Sequence, residues 1–454
     1  MDFTKQLDNA TKLIDRWLAY KVYTGRLPGL SIGIVYKNSV VFSKGYGYGN
    51  LERQIKTSDT TCYRIASFSK IFTAVAVMQL FEQGKLHLDD RVQRYLPWFT
   101  SDHDTQTSFI TIRQLLTHTA GLDRDGDTPH WTSFQFPSLT AIQQHVAAGA
   151  MIYTPAEQWK YSNLGYTILG EVIKAVSGIS YEDYVNEHIV RRLGLLHTAP
   201  TLTDNILQNL ATGYSRDIPG HERVGFPLIE THAMASATGF SSNVLDLCQF
   251  MMAQFQGDTK LLADESKREM RRIQWLREGF DSDWCLGFQT WKINDRRVYG
   301  HGGSFQGFKS RFGFDVEREI GLVILANAID APSYDLANSA LQIIDYVINH
   351  FDVGARFIAP NIENLQRYEG RFRNIWQDVD IVAVNNSLIL YSSGFASPVL
   401  DFHQLRYDKD DRFTIISGDT LGNVGEPVRF EFDDEGAARR IFIGAEPSER
   451  IEYL

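Results

Sequence analysis

Residues 71–81 are apolar on almost every side of a helical projection, and Gly84 follows as a stop. A helix with no polar face must be wrapped by other elements, which commits the chain to a large core with this helix inside it. Lys70 stands at the entrance to the helix, where burial disfavours the ammonium form and lowers its pKa. Ser67 lies three residues earlier, the spacing that places two side chains one turn apart on the same helical face. A lysine so held accepts a proton from a neighbouring hydroxyl, which an attacking serine requires. A bare Ser-x-x-Lys match is short, and Ser67 as a cap with a snorkelling Lys70 is the simpler reading of it, so the assignment depends on partners elsewhere. Ser69, two residues along from Ser67, points in another direction.

At 454 residues and 43% hydrophobic content the chain is too long for one ordinary core, and two domains are expected, one of them large. A formal net charge of -10 argues against general affinity for nucleic acid or anionic membrane. No run approaches the roughly 18 uninterrupted apolar residues of a membrane span. The first residues lack the basic region and apolar run of a secretory signal, so the cytoplasm is the simplest compartment, with an exported, processed form left open. Cys62, Cys248 and Cys285 are odd in number and far apart, against both a disulfide framework and a cysteine-rich zinc site. No metal or cofactor is expected.

In order, a helical period over residues 5–20 precedes two β-rich runs, 29–36 and 40–47, joined by a tight turn. The glycines at 45, 47 and 49 belong to strand and turn, because no helix opens behind them as a dinucleotide motif demands. A second helix, 111–118, ends at Ala120-Gly121-Leu122. The acidic loop 123–127 is expected to be a solvated turn, since glycine falls at the fourth place and Phe134 at the twelfth of a would-be calcium loop. Tyr161-x-Asn163 precedes a helix over 167–176, and a buried tyrosine with a satisfied hydroxyl explains that pair alone. His301-Gly302-Gly303-Ser304 lies in a glycine-rich segment between strands, where backbone can approach a ligand closely, although a tight turn with a chance histidine also explains it. A helix over 334–350 closes this part. Beyond Leu365, short alternating strands at regular intervals imply a small antiparallel barrel or sandwich.

Taken together, Ser67-x-x-Lys70, Tyr161-x-Asn163 and His301-x-Gly303 resemble the three motifs of the penicillin-recognising serine hydrolases, a group that spans class C β-lactamases, DD-peptidases, D-aminopeptidases and related esterases. Tyr63-Arg64-Ile65-Ala66-Ser67 and the run from Ile112 to Thr119 are similar to family signatures as well. The resemblance covers about residues 20–350. It implies an α/β (α+β) β-lactamase/transpeptidase-like catalytic domain, an antiparallel sheet flanked by helices, over residues 1–353. A linker over 354–361 and a lipocalin-like all-β barrel over 362–454 are expected to follow, the barrel resembling one appended to some D-aminopeptidases and self-compartmentalising peptidases.

By the same resemblance Ser67 attacks a carbonyl, Lys70 and Tyr161 share the role of base, and Asn163 bonds Lys70 and the substrate amide. The oxyanion is expected between the backbone N–H groups of Ser67 and Ser304, with His301 and Gly303 lining the substrate site. Two departures stand out: His301 replaces the lysine usual in β-lactamases and DD-peptidases, and Ala120 replaces a serine common in the family. A histidine with an ordinary pKa of about 6.5 is mostly neutral at pH 7, so weak attraction to carboxylates is expected, stronger below that pH, unless Lys309 or Arg311 supplies the cation. The implied function is cleavage of amide or ester bonds in small peptides or acyl compounds, D-residue-selective peptidases included. The alternatives are a carboxylesterase or acyltransferase, or a slow-turnover penicillin-binding protein. A small molecule or short peptide is the expected partner, and a homo-oligomer is compatible with the reading.

Overall fold

The apolar segment forms a helix over Ser69–Glu82 in which every residue from Ser69 to Leu80 is buried. Phe72 stacks on Phe240 and Phe250 at centroid distances of 4.5 and 4.1 Å, and Phe68 lies 4.7 Å from Phe312. These contacts show why the helix has no polar side: aromatic groups from a sheet strand and from other parts of the chain close around it.

The computed structural model describes residues 3–350, 364–385, 387–418 and 423–452. By its contacts the chain divides into one unit over Pro28–Tyr334 and another that joins Met1–Leu27 to Asp335–Leu454. In the first unit the strands are β1 (Gly29–Tyr36), β2 (Ser39–Asn50), β3 (Ile55–Lys56), β4 (Tyr63–Arg64), β5 (Ser241–Ser242), β6 (Ser282–Trp284), β7 (Gln289–Ile293), β8 (Arg296–Phe305), β9 (Phe308–Asp315) and β10 (Ile320–Ala326). The strands β4 and β5 pair as a ribbon, and the other eight form one antiparallel sheet in the order β3-β2-β1-β10-β9-β8-β7-β6. The central strand β10 is buried throughout and β1 nearly so, which is why both read as continuous apolar runs, whereas β2, nearer the edge, is mostly half-exposed. The Ser67 helix packs among helices that include Asn163–Ser177 and Val244–Met252, giving an antiparallel sheet with helices.

The second unit contains the helix Phe3–Thr24 and a closed antiparallel barrel of eight strands: β11 (Gly370–Arg373), β12 (Asp378–Val384), β13 (Ser387–Ser392), β14 (His403–Lys409), β15 (Arg412–Ile415), β16 (Pro427–Phe432), β17 (Ala438–Ile443) and β18 (Glu446–Arg450). Closure comes from β18 pairing back on β11, Phe372 opposite Arg450, so no strand edge is left open. Phe372, Ile381, Leu390, Leu405, Phe413 and Ile441 are buried in its interior. A buried Arg371–Asp380 pair, bonded at 2.9 and 2.7 Å, also donates to the carbonyl of Arg16 and so ties barrel to helix. The expected linker over 354–361, and with it the boundary near 353, lies outside the described residues.

Candidate active site

Strand β4 ends at Arg64, and the chain then turns sharply: Ala66 has φ +53, a left-handed conformation that costs a non-glycine residue about 1–2 kcal/mol. A single 3-10 turn, Ala66–Phe68, leads into the helix, so Ser67 sits at the helix entrance rather than inside it. The turn is held from both sides. The Ile65 N–H donates to the Phe240 carbonyl at 3.0 Å, and the Ile65 carbonyl accepts from Ser310 Oγ at 2.9 Å. Gly303 packs so closely that a Cβ there would overlap the Ile65 carbonyl oxygen.

Lys70 is fully buried and its Nζ donates to three oxygens: Ser67 Oγ at 3.2 Å, Asn163 Oδ1 at 2.6 Å and the Ala237 carbonyl at 2.8 Å. Burial holds its pKa well below the ordinary lysine value, opposed by Asp125 and reinforced by Arg124. Burial pushes the Tyr161 phenol above its usual pKa, an effect that the neighbouring Ser67 side chain and Arg124 partly offset. The Tyr161 ring lies 4.9 Å from Lys70 Nζ. Ser69, by contrast, turns inward: its hydroxyl donates to the Ala66 carbonyl and accepts from the Phe240 N–H at 3.0 Å. The structure therefore brings Ser67, Lys70, Tyr161 and Asn163 into one cluster and leaves Ser69 outside it.

The loop expected to be a solvated turn is instead part of this cluster. The Arg124 carbonyl accepts from the backbone N–H of Asn163 at 2.7 Å, Asp125 Oδ1 accepts from Asn163 Nδ2 at 2.6 Å, and Asp123 pairs with His145. Asp123 and Asp125 thus find partners within the fold, while the Arg124 and Asp127 side chains stay exposed as a solvated turn predicts. Asp125 thus fixes which way the Asn163 amide faces, with its oxygen toward Lys70. Nothing in the sequence marks that role, because the pair is separated by 38 positions with no motif joining them.

The third motif lies on β8. His301 is buried, with Nδ1 against the Gly302 carbonyl and Nε2 without a hydrogen-bond partner, and its ring stands edge-on to Trp284 at 5.5 Å. Burial, with Lys70 nearby, pushes its pKa down to about 3. The expectation that His301 charges below about pH 6.5 is therefore corrected: desolvation keeps the imidazole neutral far below that pH. A cleft of about 440 Å³ is lined by Ser67, Tyr161, Asn163, His301, Gly303 and Ser304 together. Arg124, Lys309 and Arg311 line it too, and no carboxylate does among the described residues. The Arg311 guanidinium is clamped 3.9 Å from the Trp291 ring and 4.4 Å from the Tyr334 ring, with Nη1 donating to Gln289 at 2.9 Å. Among the described residues no group of three or more His, Cys, Asp or Glu is arranged to hold a metal ion, and no helix is long and apolar enough to cross a membrane.

The Beta-lactamase family model matches residues 14–344 of the chain. Protein flp of Staphylococcus aureus (strain N315) is 28% identical over 326 residues, covering 71% of this chain and 64% of that protein, so the chain spans less than two thirds of that relative's length. Penicillin-binding protein 4* of Bacillus subtilis (strain 168) is 27% identical over 317 residues, 66% of this chain and 68% of that one. Among solved structures, the octameric penicillin-binding protein homologue from Pyrococcus abyssi matches with a TM-score of 0.66 at 21% identity, covering 97% of this chain and 100% of its own. The structure of SurE matches with a TM-score of 0.62 at 22% identity, covering 98% and 99%. At these identities the structural likeness is one of fold.

Proposed function

Because the chain belongs to the Beta-lactamase family, we propose that it is a serine hydrolase that cleaves amide or ester bonds of small acyl compounds or short peptides through an acyl-Ser67 intermediate. The observation that carries this reading is the buried Lys70 Nζ 3.2 Å from Ser67 Oγ, with the Tyr161 ring 4.9 Å from the same ammonium and Tyr161 on the same cleft. The two candidate bases differ in a useful way. Burial drives Lys70 toward its neutral, proton-accepting form and keeps Tyr161 protonated. Lys70 is then the group that takes the Ser67 proton as Oγ bonds to the carbonyl carbon. Tyr161 passes a proton to the departing nitrogen or oxygen as the scissile bond breaks and recovers one from the water that later releases the acyl group, while the Lys70 ammonium returns its proton to Ser67 Oγ as the acyl–oxygen bond breaks. The backbone N–H groups of Ser67 and Ser304 receive the oxyanion, helped by the positive end of the Ser69–Glu82 helix. Asn163 keeps one amide hydrogen for a substrate carbonyl while the other is committed to Asp125.

A fluorophosphonate probe followed by peptide mapping tests the assignment. The adduct is expected on Ser67 and absent from Ser67→Ala; an adduct on Ser69, or none while hydrolytic activity persists, overturns it. The kinship with Penicillin-binding protein 4* favours a second reading, acylation by β-lactams with slow release, which the same probe followed by time-resolved deacylation separates from turnover. D-residue selectivity extends the proposal, and a panel of paired D- and L-aminoacyl p-nitroanilides decides it. Assembly into a homo-oligomer is proposed on the precedent of the octameric homologue, with light scattering as its check.

A further inference from the structure

A second cavity of about 440 Å³, lined by Arg64 and the end of the β8–β9 hairpin, shares no lining residue with the cleft. Leu202, Leu207, Leu210, Phe226, Ile229 and Phe308 give it apolar walls, and Leu207 and Leu228 are exposed at 39% and 66%. One cation lines it. Arg64 is only 3% exposed, and none of Nε, Nη1 and Nη2 has a hydrogen-bond partner. Its guanidinium lies 4.8 Å from the Phe305 ring, and Glu230 favours its charged form without approaching to ion-pair distance. Burial lowers its pKa to about 10, which leaves it charged at neutral pH. A buried guanidinium presents five N–H donors in a planar fork, a geometry that matches a carboxylate, and a buried charge without a partner is strongly disfavoured. Gln306 Oε1, on the same cavity, also lacks a donor, while Nε2 bonds the Trp131 carbonyl at 3.2 Å.

We propose that this cavity is a binding site for a medium-chain aliphatic monocarboxylate, its carboxylate paired with Arg64 and its hydrocarbon chain against the leucine and phenylalanine walls. The volume lies within the range of small-molecule sites, and apolar walls with one buried cation select an amphipathic anion over a hydrated phosphate. The site is independent of the acyl-Ser67 chemistry, although Arg64 is three residues from Ser67 and Phe305 adjoins Ser304.

The test is calorimetric titration of decanoate, below its micellar concentration, into the full chain carrying Ser67→Ala, so that no turnover intrudes. One saturable site per chain is expected, at least tenfold tighter than for decanol. Arg64→Met is expected to weaken decanoate at least tenfold and to leave decanol unchanged. Leu228→Asp, at an exposed position where folding is not at stake, is expected to weaken decanoate severalfold by placing a like charge beside the cavity. Should Arg64→Met fail to fold, Leu228→Asp and the comparison with decanol decide. No saturable binding, equal affinity for decanol, or a titration unaltered by the variants that fold overturns the proposal, the last because decanoate then binds elsewhere on the chain.

Discussion

Lys70 and Tyr161 stand together beside Ser67, yet their surroundings drive their proton affinities apart, and each shift carries a test. Tyr161→Phe removes the proton relay without emptying space in the core, so turnover is expected to fall by roughly two orders of magnitude while the melting temperature hardly moves. Near-normal turnover would show that the proton travels by another route. Asp125 raises the Lys70 pKa, so Asp125→Asn should lower it further, and the rising limb of the pH–rate profile should shift to lower pH, with kcat reduced as Asn163 loses its orientation. An unmoved limb means that Asp125 does not act on Lys70. His301, with its pKa held near 3, is neutral at both pH 6 and pH 8, so any preference for a free C-terminal acid over its amide should be the same at the two values and should weaken in Arg311→Gln. A preference that grows on acidification would return the imidazole to the role of cation. Seven of the residues gathered here are legible in the sequence because each sits in a short motif whose chemistry is local: Ser67, Lys70, Tyr161, Asn163, His301, Gly303 and Ser304. Asp125 is not, since its importance comes from a contact across the fold, and an acidic loop looks solvated until its partners are seen.

Among the elements, the turn that presents Ser67 depends on backbone rather than side chain. Gly303→Ala places a methyl group against the carbonyl of Ile65, which belongs to a turn already fixed by Phe240 and Ser310 and cannot yield cheaply. Strand β8 must move instead, and fluorophosphonate labelling of Ser67 is expected to slow by about a hundredfold as the Ser304 N–H leaves its place, the scale of losing one oxyanion donor. Gly84→Ala is the control. Gly84 also has a positive φ, +66, but nothing lies within 4 Å of the added carbon, so the expected cost is about 1–2 kcal/mol of stability with the labelling rate unchanged. Equal labelling losses in both variants would mean that general destabilisation, not the position of β8, controls acylation. The helix and the β8–β9 hairpin are visible in the sequence through their apolar run and glycine spacing. The left-handed Ala66 is not, because alanine gives no signal of the conformation imposed on it by Ile65 and the helix beyond.

At the scale of the whole molecule, every residue proposed to act on substrate falls within Pro28–Tyr334. A fragment covering that range is expected to keep its fluorophosphonate-reactive serine. A chain cut near residue 355 strands the helix Phe3–Thr24 without the barrel groups that bond it, Arg371 and Asn385 among them, and should be the less soluble of the two. Loss of labelling in the folded fragment would implicate the barrel in the chemistry. Strand alternation makes the barrel readable from sequence, but the alliance of the first helix with it is not, since the hydrogen bond from Asn9 to Asn385 joins positions 376 apart. That alliance has a consequence for biogenesis. The helix Phe3–Thr24 is made before its barrel partners, Arg371, Ile381 and Asn385, which lie 355, 365 and 376 positions after the residues they bond, so it must wait through synthesis of the whole intervening unit. The intervening unit can fold as an insert meanwhile, bringing the two ends closer and shortening the effective loop the chain must close. Ribosome-bound chains stalled before residue 370 should therefore carry a protease-resistant core beginning near Pro28, with residues before it still cleavable.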